Sequence, residues 1–209
     1  MSFTYADVVA RNRSAYNERA AANRDTHPKE QWKQDERAAF LDRLRAAEAR
    51  TLLEVGCGTG QDSLYFQQEG LEVTAADLSP AMVSHARSKG LNASVRDVLA
   101  LGFPESTFDA VYSLNTLLHV PNADLDAALA AIRTVLTPGG LFFLGVYGGG
   151  KEEEGVVPED VHEPPRFFSF RSDQQLLAYA VRAFEVLDFH IRNDGTDFRF
   201  QSLTLVKPA

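Results

Sequence analysis

The 209-residue chain is long enough for one α/β domain with a full hydrophobic core, and its 44% apolar and 24% charged residues exclude wholesale disorder. A formal charge of −8 disfavours a nucleic-acid or membrane partner, because like charges repel, and favours a small molecule. Cys57 is the only cysteine, so an intrachain disulfide and a structural zinc site are both excluded, and no other cluster has metal-ligand spacing. Since neither a secretion signal nor a membrane-spanning run is found, we expect a cytoplasmic protein.

The N-terminal quarter is polar and alanine-rich, with helical spacing and no strand signal before Thr51. Two amphipathic stretches, 8–22 and 31–49, flank the segment 25–28, which is typical of a turn followed by a helix start. The sequence therefore predicts an N-terminal helical cap over residues 1–50, placed before a main domain over residues 51–209.

From Thr51 onward, apolar strands alternate with helices. Strands are predicted over 51–55, 71–77, 91–97, 108–115 and 141–147, and helices over 62–69, from Ser79 onward, and over 124–136. Ser79 is a hydroxyl cap, and Pro80 suits the first helical position. This alternation is typical of a parallel sheet that has helices on both faces.

The last quarter breaks this rhythm. Residues 148–170 hold four glycines and three prolines, and they are predicted to form a long lid or substrate-binding loop. A helix over 172–183 and strands over 184–192 and 198–206 follow, joined at 193–196 by a hairpin signal. We therefore predict an α/β fold with a doubly wound, seven-stranded, mostly parallel sheet, an antiparallel C-terminal hairpin and an N-terminal helical lid.

A glycine loop, Gly56-Cys57-Gly58-Thr59-Gly60, lies between the first strand and its helix. Glycines at such a turn let the backbone approach a ligand and present helix N-terminal amides to it. Gln61 stands where a dinucleotide-binding loop has its third glycine, which counts against NAD. A tight turn that needs glycine only for its geometry is the alternative interpretation.

Asp77 ends the second strand, 21 positions after Gly56. That spacing is close to the roughly 20 residues expected for an acidic side chain that binds a ribose diol. A carboxylate suits this task because it accepts hydrogen bonds from both hydroxyls. The alternative, a cap for the helix that begins at Pro80, explains Asp77 but not its distance from the glycine loop.

Four stretches, 52–60, 73–83, 96–120 and 136–147, together resemble the class I S-adenosylmethionine-dependent methyltransferases, most closely their ubiquinone-biosynthesis-like, small-molecule branch. The resemblance implies a Rossmann-like enzyme that transfers a methyl group from S-adenosylmethionine to a small molecule and leaves S-adenosylhomocysteine. It places Gly56, Cys57 and Gly58 along the methionine and ribose of the cofactor. It also implies that Asp77 holds the ribose hydroxyls and that Leu78 lies against the adenine.

The same resemblance implies further cofactor contacts. The Asp97 side chain would accept from the adenine amino group, and the Val98 amide would face the ring. Asn115 would lie at the methionine end, where Gln61 and Asp62 would bind the amino or carboxylate group. Each of these three residues has an alternative interpretation. Asn115 and Asp62 are then helix caps, and Gln61 has a solvated side chain.

The residues that would bind the methyl acceptor carry a weaker signal. His119 follows the fourth strand at the ligand-binding edge of such a sheet, where an imidazole suits a general base, although a packing or capping role explains it equally well. His162, in the long loop, is predicted to be exposed. Tyr16 lies in the region that folds over the cofactor in this family, and its aromatic face suits a sulfonium, although packing is an alternative.

Two other functions share the glycine loop. An NAD-dependent oxidoreductase is disfavoured by Gln61 and by the Asp97-Val98 pair. A non-catalytic protein that keeps the cofactor pocket is compatible with the sequence, because methyl transfer has no obligatory catalytic residue whose absence would exclude it.

Overall fold

A computed structural model describes residues 3–26, 29–150, 152–193 and 199–209. Its N-terminal region is helical, as predicted, with α1 at Tyr5–Ala15, α2 at Glu18–Arg24 and α3 at Gln31–Ala46. The predicted stretch 8–22 is not one helix, because α1 ends at Tyr16 and the Asn17 side chain caps α2 by accepting from the Ala20 amide. None of the described helices has the length and apolar character needed to cross a membrane.

The strands in chain order are β1 (Thr51–Val55), β2 (Glu72–Asp77), β3 (Asn92–Val95), β4 (Phe108–Leu114), β5 (Leu136–Gly148), β6 (Glu153–Val156), β7 (Phe167–Phe170), β8 (Glu185–Asn193) and β9 (Arg199–Val206). Seven of these form one sheet in the order β3-β2-β1-β4-β5-β9-β8. The first five are parallel, whereas β9 pairs antiparallel with both β5 and β8. The predicted sheet is therefore confirmed.

Helix α3 packs on the sheet together with four later helices of the described residues: α4 (Gln61–Gln68), α5 (Pro80–Ser88), α6 (Leu125–Val135) and α7 (Asp173–Ala183). Ser79 caps α5 and accepts from the Met82 amide, with Pro80 in the first turn as predicted. Successive residues of β4 point to opposite faces, so Val111 packs with α6 while Tyr112 packs under α3 and α4. The parallel strands are consequently buried on both faces.

Three predictions about local structure need correction. Residues 148–170 are not a plain loop, because β6 and β7 form a separate antiparallel pair in which Glu153 lies opposite Phe170. Strand β5 begins at Leu136, since residues 139 and 140 already exchange backbone bonds with Lys207. Strand β3 is shorter than predicted. The hairpin signal at 193–196 lies outside the described residues after Asn193, as does the second half of the turn predicted at 25–28.

Candidate functional site

A cavity opens at the carboxyl ends of β1, β2 and β4, where ligands bind in open α/β sheets. The residues that line it come mainly from α1, the glycine loop, the end of β2 and the segments that follow β3 and β4. Most of the predicted site residues line this cavity: Tyr16, Gly56, Gly58, Asp77, Leu78, Asp97, Val98, Asn115 and His119. The side chains of Cys57, Gln61 and Asp62 engage other parts of the protein.

The glycine loop after β1 has the left-handed backbone that its glycines allow. Gly56 has a φ of 78°, and a Cβ added there would lie 1.8 Å from the Thr116 Oγ1. The amides of Gly56 and Cys57 both donate to the Ala76 carbonyl, at 2.7 and 3.0 Å. The loop is therefore bound to β2 on one side and packed against the β4 loop on the other, and its backbone forms the floor of the cavity.

Asp77 connects the glycine loop to the start of α5. Its Oδ2 accepts from the Gly58 amide and its Oδ1 from the Ser79 amide, both at 2.8 Å. Burial raises the pKa of Asp77, although both backbone bonds favour its charged form. Each carboxylate oxygen accepts more than one hydrogen bond, so this arrangement leaves capacity for a diol.

Asp97 lies across the cavity from the glycine loop, after β3. Its Oδ1 accepts from the Leu99 amide at 2.9 Å and from the Tyr5 hydroxyl on α1. Tyr5 was missed by the sequence analysis, although Tyr5, Val8, Val9 and Asn12 follow the spacing of one helical face and all line the cavity. Helix α1 thus forms the roof.

Asn115, just after β4, combines a left-handed backbone with a buried polar side chain. Its φ of 55° lies in a region that is uncommon outside glycine but that asparagine adopts more readily than most residues. Its amide donates to the Gly145 carbonyl at 2.7 Å, whereas its buried side-chain oxygen has no partner among the described residues. A buried carbonyl oxygen that lines a cavity calls for a donor such as a ligand ammonium.

Three of the predicted site residues have side chains that bond to protein groups rather than line the cavity: Cys57, Gln61 and Asp62. The buried Cys57 thiol contacts the Gly58 carbonyl, and burial raises its pKa. Gln61 donates to Asp25, and the buried Asp62 carboxylate pairs with Lys29 and with Arg37. These bonds fasten α2 and α3 to α4, so direct cofactor contact by Gln61 or Asp62 stays a prediction.

Arg24, the last residue of α2, was also missed. It lines the cavity mouth with an exposed side chain, and its Nε lies 3.8 Å from the position of a Cβ on Gly58. No sequence motif marks it, because its place above the glycine loop depends on how α2 packs. Its positive charge faces the side of the cavity where Asp77 and the glycine loop meet.

His119 and Tyr16 meet on the other side of the cavity. The Tyr16 hydroxyl lies 2.8 Å from His119 Nε2, and His119 Nδ1 lies 2.7 Å from the Phe167 carbonyl oxygen. A carbonyl only accepts, so Nδ1 carries the proton, and Nε2 accepts from the tyrosine. Burial lowers the pKa of His119 to about 3, so its imidazole is neutral near physiological pH.

Arg166, just before β7, completes this chain of hydrogen bonds. Its Nη1 donates to the Tyr16 oxygen at 2.7 Å, while Nε and Nη2 grip Asp160 at 2.8 and 2.7 Å. Contrary to its predicted exposure, His162 is half-buried and packs edge-on against Tyr16. The predicted lid thus contacts α1 and His119 directly.

Comparison with known proteins identifies the class. A methyltransferase-domain family model matches residues 52–140. A ubiquinone biosynthesis O-methyltransferase from Xanthomonas oryzae is 41% identical over 49% of this chain and 44% of its own length. A sterol 24-C-methyltransferase from Gibberella zeae is 28% identical over 69% of this chain and 43% of its own length. The chain therefore spans less than half the length of these two relatives.

Solved structures show the same fold. A 1,6-didemethyltoxoflavin-N1-methyltransferase from Burkholderia thailandensis, bound to that compound and S-adenosylhomocysteine, aligns with a TM-score of 0.79 at 21% identity. That alignment covers 100% of this chain and 92% of the other. The fold and the cavity define a Rossmann-like protein with a nucleotide-type ligand site at the sheet edge. Residues 52–140 match the methyltransferase-domain family, and the whole chain has the Rossmann-like fold of a solved methyltransferase.

Proposed function

We propose that the chain transfers a methyl group from S-adenosylmethionine to a small-molecule acceptor. The observation that carries this proposal is the convergence of Asp77, Asp97 and the unpartnered oxygen of Asn115 on one cavity. These groups fit the ribose hydroxyls, the adenine amino group and the methionine ammonium, in that order. Arg24 has the charge that suits the methionine carboxylate.

The bound cofactor supplies an electrophilic methyl group on a sulfonium. The protein's own task is to hold an acceptor in line with that group and to exclude water, since positioning supplies much of the acceleration in such a displacement. Helix α1 forms a roof over the cavity, and its Tyr16 hydroxyl is fixed between Arg166 and His119. An acceptor that enters here meets the Tyr16 oxygen, whose remaining lone pair can accept from a hydroxyl or an amine.

His119 acts in this proposal as a hydrogen-bond acceptor at Nε2. Its low pKa argues against a stable imidazolium, so we assign it to orienting Tyr16 rather than to storing a proton. Both ring nitrogens of His119 are used by Tyr16 and Phe167, so the Tyr16 hydroxyl is the group that would contact the acceptor. The relatives named above methylate a ubiquinone precursor, a sterol and a toxoflavin precursor, which supports a small-molecule acceptor for this chain.

Binding and turnover test the proposal in two steps. Calorimetry should detect S-adenosylhomocysteine in the micromolar range, with no heat from NADH. Methyl-labelled S-adenosylmethionine is then offered with phenols, catechols, heteroaromatic amines and sterols. Label should pass to at least one acceptor in wild type and fall sharply in His119→Ala, whose cofactor affinity should remain. Preference for NADH would overturn the proposal, and cofactor binding without label transfer to any acceptor would favour a non-catalytic binding protein.

A further inference from the structure

Arg171, between β7 and α7, is the largest fully buried side chain described, with 2% of its surface exposed. No carboxylate of the described residues pairs with it within 4.0 Å. Burial lowers its pKa to about 10, so the guanidinium is still charged near neutral pH. A buried cation without an ion pair is expensive, and an apolar side chain of similar size often costs less.

The guanidinium donates mainly to the segment that carries His119. Its Nη1 lies 3.1 Å from the Leu117 carbonyl oxygen, and its Nη2 lies 2.6 Å from that of Val120. Its Nε donates to the Asn122 side chain at 2.8 Å. Leu117–His119 is a single 3₁₀ turn, so the two carbonyls lie on either side of His119 in the chain. Charge-assisted bonds of this kind fix the turn more firmly than neutral ones would.

A second set of contacts joins the same turn to the β6–β7 pair. Glu154 on β6 accepts from the Asn122 amide at 2.6 Å and from the Ser169 hydroxyl at 2.7 Å. His119 Nδ1 meets the carbonyl of Phe167 on β7. The turn and the strand pair therefore form one unit, with Arg171 buried between them.

We propose that Arg171 is a positioning residue for His119, holding the 117–120 turn against the β6–β7 pair so that the imidazole meets both Phe167 and Tyr16. This inference rests on the proposed function, since it assigns Arg171 to the site that would align the acceptor. It explains why the fold retains a buried guanidinium at a place where a methionine would pack at lower cost.

Two variants test this role, Arg171→Met, which removes every donor, and Arg171→Lys, which keeps the charge without the planar fork. The readout is the His119 imidazole in ¹⁵N NMR, together with kcat, KM and the cofactor Kd. The titratable and charged groups that face His119 are Tyr16 on α1 and Asp160, His162 and Arg166 beside β7, and all of them remain in both variants.

In the wild-type protein, His119 should stay neutral and protonated at Nδ1 down to about pH 5. In Arg171→Met its pKa should rise toward the ordinary value of about 6.5 as the turn loosens and water enters. The loss of alignment should lower kcat roughly 100-fold, while the Kd for S-adenosylhomocysteine stays within about twofold. In Arg171→Lys, the His119 pKa and kcat should lie between the values of the wild type and of Arg171→Met. This variant supplies the same measurements if Arg171→Met does not fold.

Glu36→Gln is the matched control. Glu36 is a buried charged residue, 4% exposed, whose partners His190, Arg192 and Ser202 lie on β8 and β9. It should lower the melting temperature without altering the His119 signal. If Arg171 variants behave like this control, with unchanged His119 titration and kcat, the positioning role is overturned. A shifted His119 titration in a protein whose wild type transfers no methyl group would overturn the proposed function and leave the positioning role standing.

Discussion

The two sides of the cavity are built in different ways. The cofactor side consists of the glycine loop, Asp77 and the 96–98 segment, which follow three neighbouring strands and are linked to one another through backbone groups. The acceptor side joins α1, the His119 turn and the β6–β7 pair. Its bonds connect residues far apart in the chain, with 103 positions between Tyr16 and His119 and 155 between Asn12 and Phe167.

This difference indicates which side can open. Backbone bonds at the ends of core strands open only when the sheet itself is disturbed. Side-chain bonds between a terminal helix and a strand pair outside the main sheet can be released while the core stays folded. We therefore expect a fixed cofactor floor and a roof that opens to admit ligands, with α1 and residues 148–170 acting together as the predicted lid.

The largest expected effect comes from the fixed side. Asp77→Ala removes the proposed ribose-binding carboxylate, and calorimetry with S-adenosylhomocysteine should record a loss on the order of 2–3 kcal/mol, the range for charge-assisted hydrogen bonds. Asp109→Ala is the control, because Asp109 also accepts backbone bonds, from Arg50 and Thr51, at the opposite end of β1. An unchanged Kd in Asp77→Ala would exclude Asp77 from the ligand site.

A smaller effect on stability is expected when the bonds between α1 and β7 are removed. The buried Asn12 donates to the Phe167 carbonyl at 3.3 Å and accepts from its amide at 2.9 Å. Asn12→Ala therefore leaves the Phe167 amide without this acceptor, while the carbonyl keeps its bond to His119 Nδ1. The variant should lose about 1–3 kcal/mol of stability, and hydrogen exchange should accelerate in α1 and β7 while β1 and β5 stay protected.

Thr4→Ala separates this effect from simple fraying of α1. Thr4 caps that helix by accepting from the Asp7 amide, and its described side-chain hydrogen bonds are all to Asp7. The loss of this cap should destabilise α1 by roughly 1 kcal/mol. Hydrogen exchange should therefore accelerate in α1 alone. Equal exchange in β7 for both variants would show that α1 and the strand pair open independently.

The smallest effect concerns pH. Glu54 is 2% exposed at the end of β1, and burial together with the nearby Asp62 charge raises its pKa to about 8. A raised carboxyl pKa adds stability that is complete below the unfolded value of about 4.3 and is lost as pH rises through the folded value. His119 has the opposite dependence, because its pKa is lowered to about 3 and stability is lost as pH falls below the unfolded value of about 6.5. Above about pH 7 this contribution is constant, so the dependence there should belong to Glu54.

Glu54→Gln should remove that dependence. Urea unfolding at pH 5, 7 and 9 should show that the free energy of unfolding of the variant gains on that of the wild type as pH rises, with the gain complete above the folded pKa of Glu54. Glu69→Gln, which removes a carboxylate paired with Arg45 at the surface, controls for the change in net charge. If the free energies of unfolding of Glu54→Gln and the wild type change in parallel with pH, ionisation of Glu54 does not destabilise the folded state.

The same contrast explains how far the sequence could predict the molecule. The strands and the glycine loop were predictable because their signals are local: apolar runs, a glycine spacing, and Asp77 at a set distance from Gly56. The β6–β7 pair was not, since its glycines and prolines resemble an irregular loop. Arg171 and Tyr5 carry no motif at all, and their roles come from packing between segments that no short-range pattern relates.

His119 shows the same limit at a single residue. Its place after β4 predicted that it would lie at the ligand-binding edge, and the structure puts it there. Its bonds to Tyr16 and Phe167 depend on where α1 and β7 come to rest, and so does the low pKa that disfavours a base. Gln61 and Asp62 were assigned to the cofactor by the family resemblance, which gave no sign of the bonds that their side chains make to Asp25, Lys29 and Arg37.

The contact between Gly56 and Thr116 has a consequence for how this protein can vary. Because the Thr116 side chain fills the space beside Gly56, alanine at position 56 would collide with it and would also be strained at a φ of 78°. Thr116 can be shortened first, and only glycine removes both the Oγ1 and the Cβ that would lie 1.8 and 2.6 Å from the added atom. Any evolutionary or engineered route to a larger residue at position 56 must therefore pass through position 116, and the order of the two substitutions is set by geometry.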